Sequence, residues 1–267
     1  MPRLDAFRHA VARPDESSLH DLSDVSWEAW NDSYRAELDQ HKIAASGICV
    51  MDQNVLRVPS FTRAVHSLRE SSRAWFSIQP NVRDHDARTV IRAAAETGFR
   101  GITFHSYLQR IGESDFPTVV ELSQYAAEQG LFVGLCTAFG SRMLYQYDSL
   151  RLAVEVLNAV NCPVVLYHGG GAKVLEAFLI AEMWEHAYLE TSFSLSYWLG
   201  SSVEQDFAYA IRKLGADRIF FGSDAPFVSL DTAIADHLEF LRRHEFSEVE
   251  RDTVMGDACH RVLLGER

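Results

Sequence analysis

Six short apolar runs of this chain end on side chains that can move a proton or hold a metal ion. Ile219-Phe220-Phe221-Gly222-Ser223 runs into Asp224, and Pro226 then forbids further regular pairing. His168 closes another run and is followed directly by Gly169-Gly170-Gly171. His105 ends a third, Arg8-His9 a fourth, Cys136-Thr137 a fifth and Glu190-Thr191-Ser192 a sixth. Histidine, cysteine and aspartate are ligands for a divalent transition ion such as zinc. The same groups, with glutamate, serve as general acids and bases near neutral pH. Each has an ordinary alternative. Asp224 caps the following turn, a buried histidine satisfies the core, Cys136 is a small hydrophobe, and Glu190 pairs with a basic residue at the rim. The glycine triplet is either a flexible loop or a set of backbone N–H groups open to an anion.

The elements that would carry these residues alternate regularly. Strand-like runs are expected at Leu4–His9, Ile43–Met51, Ala74–Pro80, Gly101–His105, Leu131–Thr137, Pro163–His168, Ala187–Thr191 and Ile219–Phe221. Helix-periodic segments separate them: Ser23–Gln40 with Ser23 as N-cap, Ser60–Ser71, Asp86–Thr97 closed by Gly98, Phe116–Gln129, Ser149–Val160, Val174–Trp184 and Glu204–Leu214. Leu230–Arg242 and Glu248–Leu264 read as closing helices. Eight strand–helix alternations predict a parallel sheet, and eight of them predict closure into a single α/β (β/α)8 TIM barrel. The six polar strand ends would then share one mouth, the face where barrel enzymes place their chemistry. A Rossmann fold is disfavoured because no glycine-rich turn follows the first strand, and the one glycine cluster lacks GxGxxG spacing. No linker or composition break divides residues 1–267, so one domain is expected.

The totals agree with a globular domain. The 267 residues suit a barrel of ~250 residues. Hydrophobic residues make up 47% and charged residues 23%, the balance of a globular domain with a sizeable core. A net charge of −12 without a Lys/Arg run argues against nucleic-acid and anionic-membrane partners. No apolar stretch is long enough for a transmembrane helix, and Met1–Arg13 has no signal-peptide pattern. Four scattered cysteines without CxxC spacing read as free thiols of a cytoplasmic protein.

These segments together resemble the amidohydrolase superfamily, in the amidohydrolase 2 branch that includes aminocarboxymuconate-semialdehyde decarboxylase. The resemblance runs from Leu4–His9 through Gly98–His105, His168–Gly171, Glu190–Ser192 and Phe221–Phe227 to Met255–Leu263. It implies an amidohydrolase-type TIM barrel with a divalent metal bound by a His-x-His pair on the first strand, a histidine on the fifth and an aspartate on the eighth. Here Phe7 replaces the first histidine and Cys136 stands in the fifth-strand place, leaving His9, Cys136 and Asp224 as metal ligands in a degenerate site. A metal-free site is the other expectation. The resemblance makes Asp224 the general base and His168 the group that polarises the substrate. His105, Arg8, Gly169, Gly170 and Glu190 are placed as substrate-binding residues, with Arg142 as a second anion-binding arginine. The expected activity is hydrolysis of a small carbonyl- or carboxylate-bearing substrate. Decarboxylation of an unsaturated or aromatic acid is the alternative, and a non-catalytic ligand-binding barrel is a third reading. Aromatics in the loops at Phe139–Asp148 and Phe193–Glu204 suit a planar substrate or a homodimer contact.

Overall fold

The computed structural model describes residues 3–9, 26–138 and 142–265; the side chains of residues 4, 6–9 and 144 lie outside what it describes. Eight strands, β1 (Arg3–His9), β2 (Ile43–Val50), β3 (Ala74–Ile78), β4 (Gly101–His105), β5 (Phe132–Cys136), β6 (Val164–Tyr167), β7 (Ala187–Glu190) and β8 (Ile219–Phe220), form one sheet in sequence order. Every neighbouring pair is parallel. Helices return the chain between strands: α1 (Trp27–Gln40), α2 (Pro59–Glu70), α3 (Ala87–Thr97), α4 (Phe116–Glu128), α5 (Arg142–Gln146), α6 (Ser149–Ala159), α7 (Val174–Met183), α8 (Ser194–Trp198) and α9 (Ser202–Leu214); α10 (Leu230–Arg243) and α11 (Glu248–Asp252) follow β8. This is the (β/α)8 barrel that the alternation predicts.

The strands are apolar on both faces because both faces are covered. Outward residues such as Ile48, Phe76, Phe104, Leu135, Leu166 and Leu189 pack with the helices in one large cluster. Inward residues form a second cluster, with Cys49, Trp75, Phe132, Val165, Tyr167 and Phe220 among its members. Tyr188 stacks on Phe220 inside it, with ring centroids 5.1 Å apart. Bulky residues fit this narrow interior only where a neighbouring strand gives way. At Gly134 an added Cβ would lie 2.3 Å from the Tyr167 ring, so the ring occupies space that any side chain would claim.

Among the described residues no ladder joins β8 to β1. The Asp5 carboxylate spans the seam instead. It accepts from the Ser223 backbone N–H (2.8 Å), the Ser223 hydroxyl (2.7 Å) and the Ser46 hydroxyl of β2 (3.2 Å). The next group along, the Phe221 N–H, goes to the carbonyl of Val254 (3.0 Å). That bond ends β8 one residue earlier than expected. It also draws a carbonyl into the seam, and the expected unbroken helix Glu248–Leu264 is not formed. Beyond Asp252 the chain winds in wider π-type turns over Thr253–Asp257 and His260–Leu264, broken at Gly256, whose φ of 174° is extended. At the other end of the chain, the N-cap of α1 is Ser26, whose hydroxyl accepts from Ala29 N–H; the expected cap Ser23 lies outside the described residues. Gly98 closes α3 in a left-handed conformation, as expected.

Gly134→Ala should lower stability by about 1–3 kcal/mol through overpacking against Tyr167. Thermal unfolding checks it: the midpoint is expected to fall by several degrees with the fold retained by circular dichroism.

Candidate active site

The C-terminal ends of β6, β7 and β8 share a backbone peculiarity. His168 (φ 67°), Phe193 (φ 54°) and Asp224 (φ 58°) all adopt left-handed conformations that L-residues rarely take. Such conformations cost about 1–3 kcal/mol each, and they concentrate at functional sites. His168 and Asp224 are both buried polar residues.

Glu190, at the end of β7, ties these strand ends together. Its carboxylate is fully buried and accepts three hydrogen bonds: from Ser192 N–H (2.6 Å), Ser192 hydroxyl (2.8 Å) and the His168 backbone N–H (3.2 Å). Its Oε1 lies where a Cβ on residue 222 would be, 2.0 Å away, so only glycine is tolerated at Gly222, two residues before Asp224. Burial pushes the Glu190 carboxyl up to about 8, against the pull of these donors, with the Asp224 charge adding to the rise. Among the described residues its partners are backbone and serine groups, not the basic rim residue of the ordinary reading.

Ser192 also fixes the ring of His168. Its hydroxyl hydrogen goes to Glu190, so its oxygen accepts from Nδ1 (3.2 Å), as does its carbonyl (3.1 Å). Nδ1 therefore carries a proton, and the neutral ring has its lone pair on Nε2. The neutral ring is a base at Nε2, and the imidazolium is an acid there.

Behind this layer, Thr191 faces away from the mouth toward α10. Its hydroxyl meets Nε2 of His237 (2.9 Å), while His237 Nδ1 donates to the Ala233 carbonyl (2.7 Å). Burial depresses the His237 ring to about 4, so it stays neutral and anchors β7 to α10.

On the far side of the mouth, Cys49 and Cys136 are buried thiols whose charged forms are opposed by burial and by the nearby Asp224 charge. Cys49 is pushed up to about 12 despite hydrogen bonds with Thr103 and Ser77, and Cys136 rises further. Both are protonated at neutral pH. Beneath them Thr103 donates to Ser77 (2.9 Å), giving the site a polar floor. The ring of Tyr107 stands edge-on to His105 at 4.3 Å. Burial, then Cys136 and Asp224, raise the Tyr107 phenol well above its ordinary range, so it remains an O–H donor.

The structure thus brings together Asp224, His168, Glu190, Cys136 and His105. The side chains of Arg8 and His9, and of Phe7, lie outside those described. Arg142 is exposed in α5, after residues 139–141, which are outside the described part. Gly170 does not present its N–H to a ligand: the group is given to the Thr137 hydroxyl (2.9 Å), which itself donates to the Tyr167 carbonyl (2.7 Å). Sequence reasoning missed Tyr107, Cys49 and His237. Tyr107 was signalled by its place two residues past a strand-end histidine. His237 had no signal, since it lies mid-helix at a position indistinguishable from other core positions.

Among the described residues the group of three whose ligand atoms lie within 4.8 Å of one another is Asp84, His85 and Asp86, a largely exposed cluster in the loop between β3 and α3. Asp224 and Cys136 form no such group with the described residues; the third expected ligand, His9, lies outside the described side chains. A cleft of about 880 Å³ opens at the opposite end of the barrel, lined by Arg69, Trp75, Arg100 and His260, among others; none of the strand-end residues above lines it.

The two buried groups give opposite pH effects. Glu190 is raised, so the folded state keeps a proton that the unfolded chain releases, and stability should fall as pH rises from about 4.5 to about 8. His237 is depressed, so stability should fall as pH drops from about 6.5 to about 4. Urea unfolding across pH checks both. In Glu190→Gln the alkaline slope should flatten, and stability at low pH should drop by about 1–3 kcal/mol, because an amide NH2 must face one of the donors.

A family model described as amidohydrolase matches residues 62–264. A search of curated proteins finds no match. Solved structures with the same fold include a probable 2-pyrone-4,6-dicarboxylic acid hydrolase from Acinetobacter baumannii (13% identity, 98% of this chain and 99% of that one, TM-score 0.67). They also include 5-carboxyvanillate decarboxylase from Sphingomonas paucimobilis (14%, 98% of each chain, TM-score 0.64). A third is a dihydroxybenzoic acid decarboxylase from Polaromonas with bound manganese (15%, 99% and 97%, TM-score 0.62). With three-quarters of its length matched by the family model, this chain belongs to the amidohydrolase family.

Proposed function

We propose that the chain is a hydrolase acting on a small carbonyl substrate that bears a carboxylate, with Asp224 as the general base and His168 at the carbonyl. The observation that carries this reading is the pair of buried, left-handed residues at the ends of β6 and β8, held in relation to each other by Glu190. Two rare backbone conformations at the strand ends on either side of β7 cost stability and need a compensating role. The Asp224 carboxylate takes a proton from the attacking water. His168, fixed by Ser192 with Nδ1–H donating, polarises the carbonyl from Nε2 as imidazolium and can then protonate the leaving group. Protonated Tyr107 and Cys136 supply hydrogen-bond donors without adding negative charge beside an anionic substrate. The related hydrolase of pyrone dicarboxylic acid makes a cyclic ester flanked by carboxylates the first substrate to try.

Decarboxylation by the same barrel is the second reading, supported by the names of two of the similar structures. A panel of cyclic and open carboxylate-bearing esters and of hydroxylated aromatic acids separates the two. Acid release without carbon dioxide is expected; carbon dioxide evolution from an aromatic acid would replace hydrolysis with the second reading. On the substrate so found, Asp224→Asn should lower kcat by roughly 10²–10⁴, and near-normal turnover would remove Asp224 from its role.

A further inference from the structure

The cleft of about 880 Å³ at the N-terminal end of the strands has the volume of a small-molecule site. Its walls come from α2, from the Gly98–Arg100 turn before β4 and from the segment after α11. Ala44, Ala45 and Trp75, packed together in the inner cluster, give it an apolar floor. Its charge runs against that of the chain. Acidic residues outnumber basic ones 37 to 25 overall, but here three arginines (Arg69, Arg100 and Arg261) face two carboxylates (Glu70 and Asp257). His66 and His260 line it as well. Arg261 is committed to Asp217. The other two arginines pair with neither carboxylate of the cleft among the described residues.

Arg69 is seated for a ligand. Its Nη1 donates to the Thr97 carbonyl at the end of α3 (2.7 Å). Its guanidinium lies against Gly98, where a Cβ would meet Nη1 at 2.0 Å. Glycine at this position thus serves two ends: it closes α3 at φ 88° and leaves room for the arginine. Thr97 takes one N–H of the fork, and the planar group is held with donors to spare. Arg100 is exposed, and its side chain has no hydrogen-bond or ion-pair partner among the described residues. The facing wall is built by the wide turns over Thr253–Asp257 and His260–Leu264, which bring Asp257 and His260 to the cleft. Turns of this width recur at functional sites.

We propose that this cleft binds a small organic dicarboxylate with a flat apolar body, one carboxylate on Arg69 and the other on Arg100. The guanidinium fork matches a planar carboxylate with two parallel hydrogen bonds, and two such forks call for two carboxylates. The floor at Trp75 takes the apolar body, and Glu70 and Asp257 are left as acceptors for hydroxyl groups on the ligand. None of the strand-end residues of the mouth lines the cleft. The ligand is therefore a second bound molecule and not the substrate.

Titration of the full chain with isophthalate, followed by the indole N–H signals of its tryptophans, tests the assignment. The Trp75 signal, identified by its loss in Trp75→Phe, should shift saturably. Benzoate, with one carboxylate, should bind about tenfold more weakly or worse. Arg69→Gln and Arg100→Gln should each raise the dissociation constant of isophthalate by about tenfold or more. Both arginines are exposed, so the circular dichroism spectrum should stay that of the wild type. Calorimetric titration of the same variants gives the constants without reliance on the Trp75→Phe assignment. Several outcomes would overturn the proposal: no saturable shift at Trp75, binding indifferent to Arg100→Gln, or inorganic phosphate binding as tightly as isophthalate. A shift confined to Trp198, on α8 after β7, would place the ligand in the mouth and remove the second site.

Discussion

A carboxylate sealed inside a barrel must be surrounded by donors, and the Glu190 carboxylate dictates much of what lies around it. Two oxygens in a dry interior collect the N–H and O–H of Ser192 and the N–H of His168. To deliver that N–H, the chain leaves β6 in a left-handed turn at His168. To make room for the carboxylate, β8 carries no side chain at Gly222. The histidine ring is then oriented by the serine that the same carboxylate binds. One buried charge-capable group thereby sets the direction of a neighbouring strand end, the tautomer of the His168 ring and the residue type two positions before the candidate base. Such an arrangement is costly to assemble and, once assembled, leaves its members little freedom to reorient.

The barrel was legible because its information is periodic. Buried strands between amphipathic helices leave their mark on the composition of each segment, and Gly98 or Pro117 mark ends by backbone chemistry alone. The ends of elements were legible only where the ending is local. β8 stops at Phe220 because Phe221 bonds Val254, far along the chain, and the same bond unwinds what reads as a plain closing helix. No window of sequence contains both partners. The candidate site shows the same division. Asp224, His168 and Glu190 stand at strand ends and could be picked out by position. What they do for one another depends on contacts across strands. By position Glu190 is suited to meet substrate and Gly170 to cradle an anion; in the fold the Glu190 oxygens accept from its own scaffold and the Gly170 N–H goes to Thr137. Cys49 was invisible because a thiol inside an apolar strand looks like packing until Thr103, Ser77 and Asp224 are placed around it.

The thiols, phenol and carboxyl around Asp224 share a further property. All are acids whose neutral forms are favoured by burial, so the mouth holds fewer negative charges than its residue list suggests. In a chain of net charge −12 this matters for any anionic ligand. The exterior repels it at long range, while the interior offers O–H and S–H donors at close range.

The seam between β8 and β1 has a consequence for how the molecule is made. Asp5 and Ser223 are 218 positions apart, and their bonds span a seam where, among the described residues, no ladder joins the two strands. A ribosome releases the first strand long before the last one, so β1 must wait with a carboxylate in search of donors and one open edge. During that interval the growing sheet is an incomplete cylinder with an exposed rim, the state most open to pairing with another nascent chain. Ring closure through a few side-chain bonds, in place of a long ladder, makes the final event of assembly a docking step that needs only one turn after β8 to arrive.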